Sequence, residues 1–297
     1  MSSKKKCGCS NHEFDSEAAF RALSRKYTAL ANVLLEMQEK SSGFQENAQS
    51  GVMLKKLNWI IGGKEVPEGV YPECCLVGYR QGSSFHWTCT GILIAPNAVL
   101  TAGHCFVPGA TYEVALKTTR IDSLSKAERI GVKKAVLHPG YNVNTHFNDL
   151  TVLMLDHAAK TVPIELASRT ELNGAVEVRL VGFGNTDPLG TIGFGIKREV
   201  SVPIKSIRTS PTQDLQQQEY LYGYESDIEF VAGGDGYDSC TGDSGGPAYI
   251  NVGGKLKLAG TTSRSSLDSM SDCGDGGIYS RVDSHLNFIT DTIKKYS

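Results

Sequence analysis

The chain has 297 residues, of which 40% are hydrophobic and 21% charged, a composition ordinary for a folded globular protein. Its formal net charge of −2 supplies no global basic field for nucleic acid or an anionic membrane surface. It holds no run of 18 apolar residues, so no membrane-spanning helix is expected.

Met1-Ser2-Ser3-Lys4-Lys5-Lys6 is followed by no apolar core, so no secretory leader is visible. Cys7-Gly8-Cys9 and His12 offer three ligands at most, short of the usual four of structural zinc, and read as incidental groups near a terminus. From about residue 16 to 40, Phe20, Leu23, Tyr27, Leu30, Leu34 and Met37 recur at steps of three and four. That spacing predicts an amphipathic helix with Asp15 or Ser16 at its start. It would pack on the main domain, pair with a second copy or dock a partner. Ser41-Ser42-Gly43 ends the helix, and the polar run to Gly51 reads as a linker.

Beyond Ile60 short β-branched and aromatic runs alternate with Gly, Pro and Asn. Those at 91–95, 98–101, 111–117, 135–138, 150–155, 176–181, 256–260 and 277–282 predict many short strands, as in a β-sandwich or barrel. Residues 209–224 read as an irregular polar loop. Leu286, Ile289 and Ile293 predict a short helix over 284–296.

Three stretches carry chemistry. His104 follows an apolar strand in Leu100-Thr101-Ala102-Gly103-His104-Cys105. Asp149 opens the strongly apolar run 150–155, where burial of a carboxylate demands a hydrogen-bonding partner. Ser244 sits in Asp238-Ser239-Cys240-Thr241-Gly242-Asp243-Ser244-Gly245-Gly246-Pro247, whose glycines permit a sharp bend and expose backbone N–H groups. His104 and Asp149 are 45 residues apart, and Asp149 and Ser244 are 95 apart.

In that order, and with those flanking strings, the chain resembles the trypsin/chymotrypsin family of serine proteases from Ile60 to about Tyr296. The resemblance implies an all-β fold of two six-stranded Greek-key β-barrels with a short C-terminal helix, here carrying an N-terminal helical extension. Residues 1–59 would be a propeptide-like segment and 60–297 the peptidase domain. It implies a serine endopeptidase with His104, Asp149 and Ser244 as the triad, and with the N–H groups of Gly242 and Ser244 as the oxyanion hole. Asp238 matches the floor of the primary pocket, with Ser239, Ser265 and Gly277 as further substrate-binding positions, which implies cleavage after Arg or Lys. Ile60-Ile61-Gly62-Gly63 matches the mature N-terminus of a zymogen, whose freed Ile60 amine would pair with Asp243. Trp59 is not the basic residue that usually precedes such a cut. Cys89 with Cys105, and Cys240 with Cys273, match two family disulfides.

Departures accompany the resemblance. Val178 and Ile250 stand where the family has a further disulfide, and Cys74 and Cys75 have no family partner. Arg264 replaces a tryptophan, which predicts a preference for acidic residues beside the cleaved one. No calcium loop is evident, so neither cofactor nor metal is expected. The partners implied are protein or peptide substrates, with no nucleic acid and no membrane span. Compartment stays open, because the N-terminus suggests an intracellular start and the cysteine pairs suit an oxidising space. A catalytically silent binding module on the same fold is the competing function.

Overall fold

In a computed structural model the described residues are 63–187, 192–208, 215–234, 236–270 and 273–297. The helix expected at about 16–40, the group at Cys7, Cys9 and His12, and Ile60 lie outside them.

Residues 74–155 form a closed antiparallel barrel of six strands. These are β2 (Cys74–Gln81), β3 (Ser84–Ala95), β4 (Ala98–Thr101), β5 (Thr111–Leu116), β6 (Glu128–Leu137) and β7 (Thr151–Leu155), in the order β2-β3-β4-β7-β6-β5 and back to β2. Strands β4 and β7 are buried along their whole length, which is why both read as continuous apolar runs.

A second set of strands closes in the same way. It comprises β8 (Glu177–Gly182), β9 (Arg198–Ser206), β10 (Glu229–Ala232), β11 (Pro247–Val252), β12 (Lys255–Ser265) and β13 (Gly277–Arg281). Their order is β9-β10-β13-β12-β11-β8, and β8 pairs with β9 over Glu177–Gly182 to complete the ring. A two-residue strand, β1 (Lys64–Glu65), adds to the outer edge of β9. The double barrel expected from the resemblance is the fold found. Val178 and Ile250 are both buried in the second barrel's core, so apolar packing occupies the place of the absent disulfide.

Three short helices complete the described chain: α1 (Arg169–Asn173), α2 (Leu215–Tyr222) and α3 (Leu286–Tyr296). The C-terminal helix starts two residues later than expected, after a 3-10 turn at Asp283–His285, and buries Ile289. Helix α2 corrects the reading of 209–224 as irregular. Its run Leu215-Gln216-Gln217-Gln218-Glu219 has good helix propensity but no apolar stripe. Gln218 instead buries a polar side chain, accepting a hydrogen bond from Ser206 Oγ.

The barrels meet along a packed seam. One apolar cluster runs across it, joining Leu76, Ile92 and Leu100 of the first barrel to Phe183, Tyr249 and Leu258 of the second. Thr90 stitches the two together. Its N–H donates to Ser244 O at 3.0 Å, its Oγ1 donates to Gly242 O at 2.9 Å, and Phe183 N–H donates to that Oγ1 at 3.3 Å. Those bonds hold the Ser244 segment of the second barrel against β3 of the first.

Candidate active site

His104 lies in a single 3-10 turn, Gly103–Cys105, directly after β4. The Cys89–Cys105 disulfide ties that turn to β3. Asp149 shortly precedes β7, the strand paired with β4, so the antiparallel ladder brings histidine and aspartate together. The carboxylate is fully buried and has three donors. His104 N–H donates to Oδ1 at 2.8 Å, His104 Nδ1 is 2.8 Å from Oδ2, and Ser263 Oγ donates to Oδ2 at 2.6 Å. Burial alone would raise the Asp149 pKa, but the His104 and Ser263 hydrogen bonds outweigh it and hold the group below its ordinary range. The anion is thus kept charged, and it fixes the Nδ1–H tautomer of His104.

Ser244 reaches the same place from the second barrel. Its carbonyl, held by Thr90, is 3.8 Å from Cys105 Sγ, next to His104 in sequence. Gly242 takes φ +98°, and a Cβ there would meet the Phe194 ring at 2.8 Å, so only glycine suits this bend.

Beside Ser244 opens a cleft of about 230 Å³ with Asp238 at its inner end and Ser265 exposed at its mouth. The Cys240–Cys273 disulfide borders it. Asp238 is 1% exposed. Ser239 N–H donates to Oδ1 at 2.7 Å, Tyr279 OH to Oδ1 at 3.1 Å, and Gly276 N–H to Oδ2 at 3.1 Å. Burial pushes its pKa up to about 6 despite these donors. A Cβ on Gly277 would stand 3.0 Å from Asp238 Oδ1, so a side chain at that position would cover the carboxylate.

Asp243 is buried behind the serine. Gly184 N–H donates to Oδ1 at 2.7 Å and Cys240 N–H to Oδ2 at 2.9 Å. Burial again pushes its pKa up to about 6. Among the described residues no ion pair reaches it.

The family model for Trypsin matches residues 60–289. The chain belongs to the trypsin family. Its relatives carry several names. Chymotrypsin-like elastase family member 1 of Macaca fascicularis is 27% identical over 246 residues, covering 79% of this chain and 89% of the relative. A trypsin of Saccharopolyspora erythraea is 29% identical over 245 residues, covering 79% and 98%. The venom peptide isomerase heavy chain of Agelenopsis aperta is 29% identical over 255 residues, covering 78% and 98%.

Within this trypsin-family site, Arg264 departs from the sequence-based expectation. Its guanidinium forms a two-pronged pair with Glu229, Nη1 to Oε1 at 2.5 Å and Nη2 to Oε2 at 3.0 Å, and Nη2 also donates to Gly223 O at 3.0 Å. The Glu229 side chain is fully buried. The arginine charge is thereby compensated inside the protein, which removes the physical basis for a preference for acidic neighbours at the cleaved residue. Burial raises the Glu229 pKa, and the Arg264 hydrogen bonds oppose that rise without cancelling it.

Sequence reading missed Ser263, Tyr279, Thr90 and Glu229. The run Thr261-Thr262-Ser263 was a usable signal for the first, since three consecutive hydroxyls inside a buried strand need partners. Cys74 and Cys75 are free buried thiols; burial pushes Cys74 up to about 12, which makes it inert at neutral pH.

Proposed function

We propose that the chain is a serine endopeptidase cutting after Arg or Lys, with residues 60–297 as the peptidase domain and 1–59 as a propeptide-like extension. The observation that carries this reading is the fully buried Asp149 carboxylate bonded to His104 and Ser263, beside the loop that bears Ser244. A buried anion so placed serves to orient and charge-stabilise an imidazole.

In this reading Ser244 Oγ attacks the peptide carbonyl while His104 Nε2 takes its proton. The N–H groups of Gly242 and Ser244 receive the oxyanion, a contribution of about 10²–10³ in rate per donor. His104 then protonates the leaving amine, and a water, deprotonated by His104, resolves the acyl-enzyme. The carboxylate of Asp238, with Ser239 and Gly277 around it and Ser265 at the rim, receives the side chain of the cleaved residue. A cation suits it better than the small apolar side chain that the elastase name of some relatives suggests, because an anion with burial-raised pKa is stabilised by an incoming positive charge.

Activation follows the same logic. A cut before Ile60 frees an amine that pairs with Asp243, whose burial-raised pKa marks a group that gains from a cation. The residue before the cut is Trp59, so the activating protease is not one that cuts after Arg or Lys.

A fluorophosphonate probe tests the activity. It is expected to label the wild-type chain after limited proteolysis and to leave the Ser244→Ala chain unlabelled. Absence of labelling in the wild type would overturn the peptidase reading in favour of a silent binding module. N-terminal sequencing of labelled protein is expected to begin at Ile60; any other terminus overturns the activation scheme. Peptide profiling is expected to show Arg and Lys far ahead of Ala and Val at the cleaved position, and the reverse order overturns the specificity.

A further inference from the structure

His146 precedes Asp149 by three residues and stands beside the catalytic pair without a part in it. Its ring centroid is 5.5 Å from that of His104, and its Nδ1 is buried without a hydrogen-bond partner. The residue takes φ +58°, in the left-handed region that few non-glycine residues adopt but histidine tolerates better than most, and its N–H donates to Asn142 O at 2.7 Å. One ligand atom from each of His104, His146 and Asp149 lies within 4.8 Å of the others. A tetrahedral zinc ion with bonds of about 2.0–2.1 Å sets its donors roughly 3.4 Å apart, so the three need close by little more than about an ångström.

We propose that His104, His146 and Asp149 form an inhibitory site for zinc or a similar transition-metal ion. The proposal rests on the peptidase reading for its effect, and it departs from the expectation of no metal drawn from the sequence. The donor set decides the class of ion. Two imidazoles and a carboxylate suit zinc and copper, whereas calcium and magnesium take oxygen ligands. Asp149 supplies the negative charge that draws a cation in, and Arg264, whose charge also bears on His146, is already compensated by Glu229. Binding at either ring nitrogen of His104 stops catalysis. At Nε2 the metal takes the lone pair that accepts the serine proton; at Nδ1, the nitrogen that faces Asp149, it breaks the Asp149 bond and shifts the proton to Nε2, which then has no lone pair left to accept one. Ser244 then has no base.

The test compares zinc binding by equilibrium dialysis to full chains carrying Ser244→Ala alone, with His146→Gln, and with His104→Ala. Cys7, Cys9 and His12 stay in place, so the readout is the difference between chains. Each double variant is expected to bind one equivalent less than the single variant, and the His104→Ala chain leaves the His146 loop untouched. Equal binding by all three chains overturns the site. In activity, zinc is expected to inhibit the wild type while calcium and magnesium do not. With each chain normalised to its own zinc-free rate, His146→Gln is expected to raise the inhibiting zinc concentration by at least about tenfold. An unchanged inhibition midpoint overturns the proposal. Loss of all turnover and labelling in the zinc-free wild type would instead sink the peptidase reading, while dialysis still reports on the metal.

Discussion

The two barrels treat their buried carboxylates in opposite ways. In the first, Asp149 receives an N–H and an Nδ1–H from His104 and a hydroxyl from Ser263, and is held below its ordinary pKa. In the second, Asp238 and Asp243 also have donors, yet burial wins and pushes both up to about 6. The difference separates a group whose partners are built into the described fold from two groups that gain from a cation arriving later. On the proposed function those cations are the substrate side chain for Asp238 and the Ile60 amine for Asp243.

The sharpest break in this comparison is at the proposed nucleophile. Ser244→Ala is expected to lower kcat by about 10⁴–10⁶ with little change in KM, read by steady-state kinetics on an arginyl peptide. Next comes Asp238→Asn, which removes the charge that a bound Arg or Lys neutralises. It is expected to lower kcat/KM for such substrates by about 2–5 kcal/mol, roughly 30- to 5,000-fold, while sparing slow cleavage after uncharged residues. Equal loss on both substrate types would place Asp238 in folding rather than in selection.

Ser263→Ala is a smaller perturbation of the first barrel. Hydrogen bonds to charged groups are worth about 1.5–3 kcal/mol, so urea unfolding should shift by about that amount at pH 7. The Asp149 pKa should rise, read from the pH titration of its carboxyl NMR signal. If neither moves, Ser263 does not support Asp149.

The pH dependence opposes the two regions directly. Asp149, with its folded pKa depressed, contributes stability above its unfolded pKa that is lost as pH falls through the folded value. Asp238 and Asp243 have folded pKa values raised to about 6, so their contribution is full below the unfolded carboxylate range and is lost as pH rises through about 6. Asp238→Asn should therefore flatten part of the stability loss between about pH 4 and pH 6 in denaturant melts, within roughly the range of a point substitution. Binding of benzamidine, a small amidinium, to the Ser244→Ala chain should weaken as pH falls below about 6, since Asp238 must ionise to hold it. Binding that is flat with pH would show that the carboxylate is already ionised throughout.

Much of this was legible in the chain because the informative signals are local. The order His104, Asp149, Ser244 and their flanking strings mark the family, and the alternation of short apolar runs with turn residues marks a β fold. Strands β4 and β7 read correctly because burial on both faces leaves continuous apolar runs. Strands β9 and β10 were harder, since Lys205, Arg198 and Glu229 interrupt them with charges, and Lys205 and Glu229 meet partners far away in sequence, Asp275 O and Arg264.

Local patterning along the chain therefore marked a β fold, while the double barrel, the proposed reacting groups and the proposed acidic floor of the pocket followed from the family resemblance carried by short strings around His104, Asp149 and Ser244. Contacts between distant segments were settled in folding. Ser263 meets Asp149 across 114 residues, Thr90 meets Gly242 across 152, and Arg264 meets Glu229 across 35. The last of these reversed the expected role of Arg264, because a charge's effect depends on what faces it, and no spacing rule reports a counter-ion brought in by another strand.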